Sequence, residues 1–302
     1  MSESATPSPS SAMLRAMPGV FVLIWSTGFI VARYGMPHAP PMSFLAVRYA
    51  LSVGCFMIWA LAARAVWPEG PRQWLHLAVA GILMHAIYLG GVWAAVKLGM
   101  GAGLSSLLTS LQPVLTAIWL SSRGDRVSNT QWLGLALGLL GLVLVVWTKL
   151  GMGEAHLANM ACAITALLAI TVGTLYQKRF VRPCDVRTAN LIQLGAAFLV
   201  TLPLALLETE PMRWLGQDAQ PNAELIGAMA WSVLGLTLGG SSLLYLLIQR
   251  GAATSVASLF YLVPPTTAVL AWALFGEPIT VLTVAGTALA AFGVSIVVRQ
   301  RA

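Results

Sequence analysis

The chain has 302 residues, of which 17 are Lys or Arg and 10 are Asp or Glu, so charged side chains make up 9% of it against a hydrophobic share of 58%. A soluble domain of this length would carry about 75 charges, and a mean hydropathy of +0.81 excludes a disordered chain, a collagen-like one and an ordinary soluble enzyme. The solvent for most of this surface is lipid, and the net charge of +7 comes from basic residues scattered singly between apolar runs, which excludes a nucleic-acid patch and points to membrane topology.

Residues 1–14 are rich in Ser, Pro and Ala, hold no apolar run of signal-peptide length, and are expected to form a disordered tail. From there, apolar segments recur at roughly 17–34, 42–66, 73–97, 101–121, 130–148, 156–179, 187–207, 224–249, 254–275 and 280–298. Turn and charge signals separate them: Pro37, Pro40 and Pro41; Pro68, Gly70 and Pro71; Arg123, Gly124 and Asp125; Arg182, Pro183 and Asp185; Glu277 and Pro278. The longest polar stretch, Glu208 to Glu224, joins the seventh and eighth segments. Ten membrane-spanning helices are therefore expected, in an all-α membrane protein.

The basic residues orient them, since cytoplasmic loops retain Lys and Arg. With the N-terminus inside, the inner side holds Arg15, Arg64, Arg72, Arg123, Arg126, Lys178, Arg179, Arg182, Arg187, Arg250, Arg299 and Arg301. The outer side holds only Arg33, Lys97, Lys149 and Arg213, and Arg48 stands apart inside the second segment. Both termini are expected in the cytoplasm.

The second half of the chain repeats the first. Gly28 matches Gly173 and Arg48 matches Gln193 at an offset of 145; Ala102 matches Ala253 and Pro113 matches Pro264 at 151; Gly134, Gly138 and Gly141 match Gly286, Ala290 and Gly293 at 152. Residues 15–149 and 150–302 are thus two units of five spans each. An odd number of spans turns the second copy upside down in the membrane, and inverted repeats are characteristic of secondary transporters.

Several short motifs recur in order along this frame: Trp25-Ser26-Thr27-Gly28-Phe29, Arg48-Tyr49, Gln112-Pro113, Pro264, and Gly276-Glu277-Pro278. On these residues the chain resembles the drug/metabolite transporter superfamily, in its bacterial ten-helix EamA-type branch. Ser26 and Thr27 after Trp25, where the branch usually has Gly, look more like the aromatic amino-acid exporters. The first half departs from the pattern, with Arg123-Gly124-Asp125 where the second keeps Gly276-Glu277. The resemblance implies a multi-pass protein of the bacterial inner membrane that exports amino acids, aromatic and other neutral ones, or similar metabolites.

The membrane interior narrows the chemistry. All ten carboxylates fall in tails or loops, and a mid-membrane Asp or Glu is the usual device for binding cations or coupling to protons. Facilitated diffusion of a neutral or zwitterionic substrate is the simpler expectation. His85 is the titratable group nearest mid-span, with substrate contact or plain packing as its two readings. Arg48 either snorkels to the outer interface or faces a cavity, where a guanidinium suits a carboxylate; its repeat partner Gln193 offers hydrogen bonds without charge. Ser105, Thr109, Gln112 and Thr116 share one face of the fourth segment, and Thr254, Ser258, Tyr261 and Pro265 one face of the ninth. Pro113, Pro264 and Pro265 interrupt the backbone ladder near mid-membrane, as hinges or helix breaks.

Trp25, Tyr88, Trp93, Tyr245 and Tyr261 lie deeper than the interfacial Trp67, Trp74, Trp132, Trp147 and Trp214. The expected binding set is accordingly Trp25, Arg48, His85, Tyr88, Trp93, Thr109, Gln112, Gln193, Tyr245, Ser258 and Tyr261. Cys55, Cys162 and Cys184 have neither metal-ligand spacing nor a disulfide framework. No catalytic constellation, cofactor motif or metal cluster is legible. The expected partners are a small-molecule substrate and the bilayer, without nucleic acid; monomer and dimer both stay open, since the glycine stripes of the fifth and tenth segments could pack within one chain or between two.

Overall fold

The computed structural model describes residues 11–122, 128–216, 218–240, 243 and 262–299. Its regular elements are helical. In chain order they are α1 (Ser11–Gly35), α2 (Pro41–Ala62), α3 (Pro71–Gly81), α4 (Tyr88–Lys97), α5 (Ala102–Thr109), α6 (Gln112–Ser122), α7 (Asn129–Gly151), α8 (Leu157–Phe180), α9 (Val186–Leu207), α10 (Ala223–Ala230), α11 (Val263–Phe275) and α12 (Val281–Arg299). Two wider π-helical stretches extend this set: Ile82–Ile87 joins α3 to α4 without a break, and Trp231–Gly240 continues α10. No strand occurs among the described residues, and one isolated bridge pairs Leu215 with Pro221.

Six helical stretches are long and apolar enough to cross a membrane: Pro41–Ala62, Pro71–Lys97, Trp132–Gly151, Leu157–Phe180, Val186–Leu207 and Ala223–Gly240. Gly19–Gly35, Val263–Phe275 and Val281–Gly293 are shorter apolar helices. Burial is inverted relative to a soluble protein. Ser26, Ser52, Ser105, Asn159, Thr188 and Ser232 are fully enclosed, while Ile58, Leu199, Leu206 and Trp147 are at least 69% exposed. Such an apolar exterior over a partly polar interior is the pattern of a helix bundle dissolved in lipid.

The helix ends follow from local chemistry. Pro41 and Pro71 open α2 and α3, where the missing N–H is not needed. The free N–H groups of first turns are met by carboxylates: Glu208 accepts from Met42 and Ser43 at the head of α2, and Glu277 from Ala102 and Gly103 at the head of α5. Asp185 and Asn222 cap α9 and α10. The helix expected over 101–121 is interrupted at Ser110 and Leu111, between α5 and α6. Pro113 accounts for this, because its ring would collide with the Thr109 carbonyl and it donates no hydrogen bond to it. Pro264 and Pro265 lie in the first turn of α11. The helical start at Ser11 takes in the last residues of the expected tail.

The glycine stripes explain one close contact. A methyl on Gly141 would meet the Gly286 carbonyl and the Ala290 backbone nitrogen, and one on Gly293 would meet Gly134 and Gly138. The stripes therefore pack α7 against α12 of the same chain, antiparallel, backbone to backbone. α2 and α9 also run antiparallel: Glu208 clips Ser43 at one end, and the Thr188 hydroxyl donates to the Val66 carbonyl at the other, at 3.0 Å. The central core joins Phe44, Tyr49, Phe56, Trp93 and Leu194, with the Phe44 and Trp93 rings stacked 4.4 Å apart.

Candidate functional site

The larger hollow in the described part of the bundle is partly open and has a volume of about 140 Å³. α1 contributes Trp25, Gly28 and Phe29; α2 contributes Arg48 and Tyr49; the first π-helical stretch and α4 contribute Met84, His85, Tyr88, Leu89, Val92 and Trp93. The second half of the chain closes it with Ile170 of α8, Leu194 of α9, and Leu236 and Thr237 of the second π-helical stretch. It is an apolar and aromatic chamber with a few polar groups at its edge, the usual make-up of a small-molecule site.

Both π-helical stretches supply polar anchors. A π turn widens the helix and is frequent at functional positions. In the first, the His85 carbonyl accepts the hydroxyl of the fully buried Tyr49 at 2.9 Å, and the Tyr49 and His85 rings meet edge to face. In the second, the Thr237 hydroxyl donates to the Ser232 carbonyl five residues earlier, at 2.8 Å. The same Thr237 oxygen accepts from Nε and Nη2 of Arg48, at 3.3 and 3.1 Å. At the start of this stretch, Trp231 donates its indole N–H to the Thr27 hydroxyl at 2.8 Å.

Arg48 does not snorkel. It is 7% exposed, lies in the cavity wall, and crosses from the first half of the chain to the second through Thr237. The described carboxylates lie elsewhere. Glu208 and Glu277 cap helices; Glu224 meets His38; Glu210, Glu154 and Asp185 pair with Lys97, Lys149 and Arg187. Glu69 and Asp218 are exposed in loops.

Of the residues expected from sequence, Trp25, Arg48, His85, Tyr88 and Trp93 come together on the cavity wall. Thr109, Gln112 and Gln193 do not line it. Thr109 donates to the carbonyls of Ser105 and Ser106 within its own helix and neighbours Tyr88. Gln112 donates to Thr174 of α8, and Gln193 binds Gln177 and lies behind His85. Their polar ends are committed to helix contacts, which is why the stripe on α5 and α6 does not open onto the cavity. Pro113 and Pro264 are likewise absent from the wall, as is Pro265. Tyr245, Ser258 and Tyr261 lie outside the described residues. Sequence reasoning missed Phe29, Leu236 and Thr237 and passed over Tyr49 as part of a motif. The paired glycines Gly90-Gly91 and Gly239-Gly240, just after or at the end of the π-helical stretches, were the available signal.

A smaller hollow of about 20 Å³ lies between α5, α7, α11 and α12 beside Lys149 and Glu277. Lys149 is paired with Glu154 and Glu277 caps α5, so its charges are already used in holding helices together.

A lipid-facing helix bundle around a polar-edged chamber is the build of a multi-pass membrane transporter. The profile of the EamA-like transporter family matches residues 19–147 and 158–299, and the chain belongs to that family. It is 27% identical over 290 residues to an uncharacterized transporter of Archaeoglobus fulgidus, covering 93% of this chain and 96% of the relative. It is 24% identical over 281 residues to a protein of Salmonella typhimurium named a probable amino-acid metabolite efflux pump, covering 91% of each. The inner membrane transporter YedA of Escherichia coli, itself uncharacterized, is 25% identical over 82% of this chain and 78% of its own length. One solved crystal structure superposes with a TM-score of 0.65 at 18% identity, over 95% of this chain and 96% of that one, a likeness of fold.

Proposed function

We propose that the protein exports small metabolites, amino acids with aromatic or other neutral side chains among them, from the cytoplasm across an inner membrane. It works by alternating access of two inverted halves around the chamber, as facilitated diffusion. The observation that carries this reading is that both halves build the chamber wall, so a rocking of one against the other would change its exposure.

The internal geometry supports the duplication. The two π-helical stretches begin at Ile82 and Trp231, 149 residues apart, inside the range of offsets that relates the two halves of the sequence. Their contacts are reciprocal: α2 and α1 touch the second stretch as α9 and α8 touch the first. The antiparallel pairs α2 with α9 and α7 with α12 are the pairings an inverted repeat demands. The two matched segments of the family profile fall on the same halves. Ten crossings with both termini inside fit the distribution of Lys and Arg, and a single chain suffices to wall the chamber. The name of the Salmonella relative, a probable amino-acid metabolite efflux pump, supports the substrate range.

Counterflow of labelled amino acids into proteoliposomes containing the purified full chain tests this. Exchange that is indifferent to an imposed proton gradient is the expected result. Strong stimulation by the gradient would reject facilitated diffusion, and the absence of exchange with any amino acid or related metabolite would reject the transport reading.

A further inference from the structure

We infer that the chamber selects its ligand by a carboxylate, which binds the Arg48 guanidinium, and that an amino group on the ligand is dispensable. The ligand class is a monocarboxylate with an aromatic or other apolar body, of which amino acids are one kind. This rests on the proposed function only for its transport arm; the binding arm stands by itself.

Arg48 is the one fixed charge among the residues of the chamber wall, and a guanidinium stays protonated in proteins. Thr237 accepts from Nε and Nη2, while Nη1 has no acceptor among the described residues. None of the carboxylates placed by the structure is near it, since each caps a helix, pairs with another base or lies in a loop. Residues 241–261, all but 243 outside the described set, contain no Asp or Glu. An enclosed cation without an anion is unfavourable, and a planar carboxylate is the ligand group that matches the free side of the guanidinium with two charge-assisted hydrogen bonds. The apolar body then meets the faces of Trp25, Phe29, Tyr88 and Trp93. A ligand ammonium finds no carboxylate in that wall. It would be desolvated beside Arg48, so it adds nothing to binding.

Three probes that share one skeleton separate the groups: hydrocinnamate (acid only), L-phenylalanine (acid and amine) and phenethylamine (amine only). Binding to the purified full chain is read by quenching of tryptophan fluorescence, with labelled-probe displacement as a second measurement. Hydrocinnamate is expected to bind at least as tightly as phenylalanine, and phenethylamine roughly tenfold or more weaker. Arg48→Gln is expected to weaken hydrocinnamate by roughly tenfold or more and to erase the preference for acid over amine. If that variant does not yield folded protein, Arg48→Lys keeps the charge but not the fork, and its acid preference should fall between none and that of the native chain. Phenethylamine binding as tightly as hydrocinnamate, phenylalanine binding roughly tenfold tighter than hydrocinnamate, a full acid preference in Arg48→Gln or in Arg48→Lys, or no binding of any probe would each overturn the inference. Acid-selective binding without flux in proteoliposomes would reject transport and leave the inference intact; flux of amine and acid at equal rates would do the reverse.

Discussion

Thr237→Val is the substitution that most directly tests how Arg48 is held. The valine has the same shape and removes only the hydroxyl, which donates to the Ser232 carbonyl and accepts from Nε and Nη2 of Arg48. Hydrogen bonds to a charged group contribute about 1.5–3 kcal/mol each. The two guanidinium contacts are long, at 3.3 and 3.1 Å, and share one oxygen, so they count as roughly one such bond, near 2 kcal/mol. At about 2–4 °C per kcal/mol, the ligand-free Val variant should melt about 4–8 °C below the native chain in the same detergent. Thr237→Ser keeps the hydroxyl and should stay within about 2 °C of the native chain on the same scale. A bound carboxylate supplies acceptors to the stranded N–H groups, so saturating hydrocinnamate should raise the melting temperature of the Val variant by more than that of the native chain. A Val variant that melts with the native protein, or a Ser variant as unstable as Val, would refute the role of this hydroxyl.

Gly286→Ala places a methyl 2.7 Å from the Gly141 carbonyl and from Val145, so α7 and α12 must separate at a cost of about 1–3 kcal/mol. Thermal unfolding in detergent reads this cost, and an unchanged midpoint would contradict the backbone contact. Asp185 is held below the usual carboxylate range by hydrogen bonds from the Arg187 side chain. Its contribution to stability is therefore complete above the unfolded carboxyl value of about 3.9 and lost as pH falls through its lower folded value. Asp185→Asn should melt below the native chain at neutral pH, with the gap closing in that acid range. On the proposed carboxylate reading, hydrocinnamate crosses as a monoanion. Its equilibrium distribution in proteoliposomes should follow a potassium diffusion potential, by about 2.3 kcal/mol per 100 mV, whereas zwitterionic phenylalanine should distribute evenly.

Much of the bundle was legible because apolar runs and proline or charge breaks are local features. The ends of α2, α8 and α9 lie within a few residues of the segments read from sequence. The break before Pro113 was legible for the same reason, as proline acts on its own carbonyl neighbours. The site was less so. Arg48 carries two opposite readings in sequence, snorkelling or cavity-facing, and only the position of Thr237 on another helix separates them. The hydroxyl stripe of Ser105, Thr109, Gln112 and Thr116 has the spacing of a lining face, yet Thr109 and Thr116 bond back to helix carbonyls; periodicity places residues on a face without saying what that face meets. The π-helical stretches carried no propensity signal of their own, being stabilised by contacts from other elements such as Tyr49 on His85.

On the proposed reading, the duplicated scaffold and the chemistry of the site have separate origins within the chain. Arg48 on α2 and Gln193 on α9 match at the sequence offset of 145, and each lies against the π-helical stretch of the other half: Arg48 meets Thr237, and Gln193 lies at His85. Only one of them is charged. A second cation at Gln193 would repel the first within the same low-dielectric interior. On the proposed reading, with the charge on one arm alone, a carboxylate would stay attached to α2 while the other half opens and closes against the apolar body. On that reading the repeat would supply the motion, and its departure from symmetry at Arg48 the selectivity.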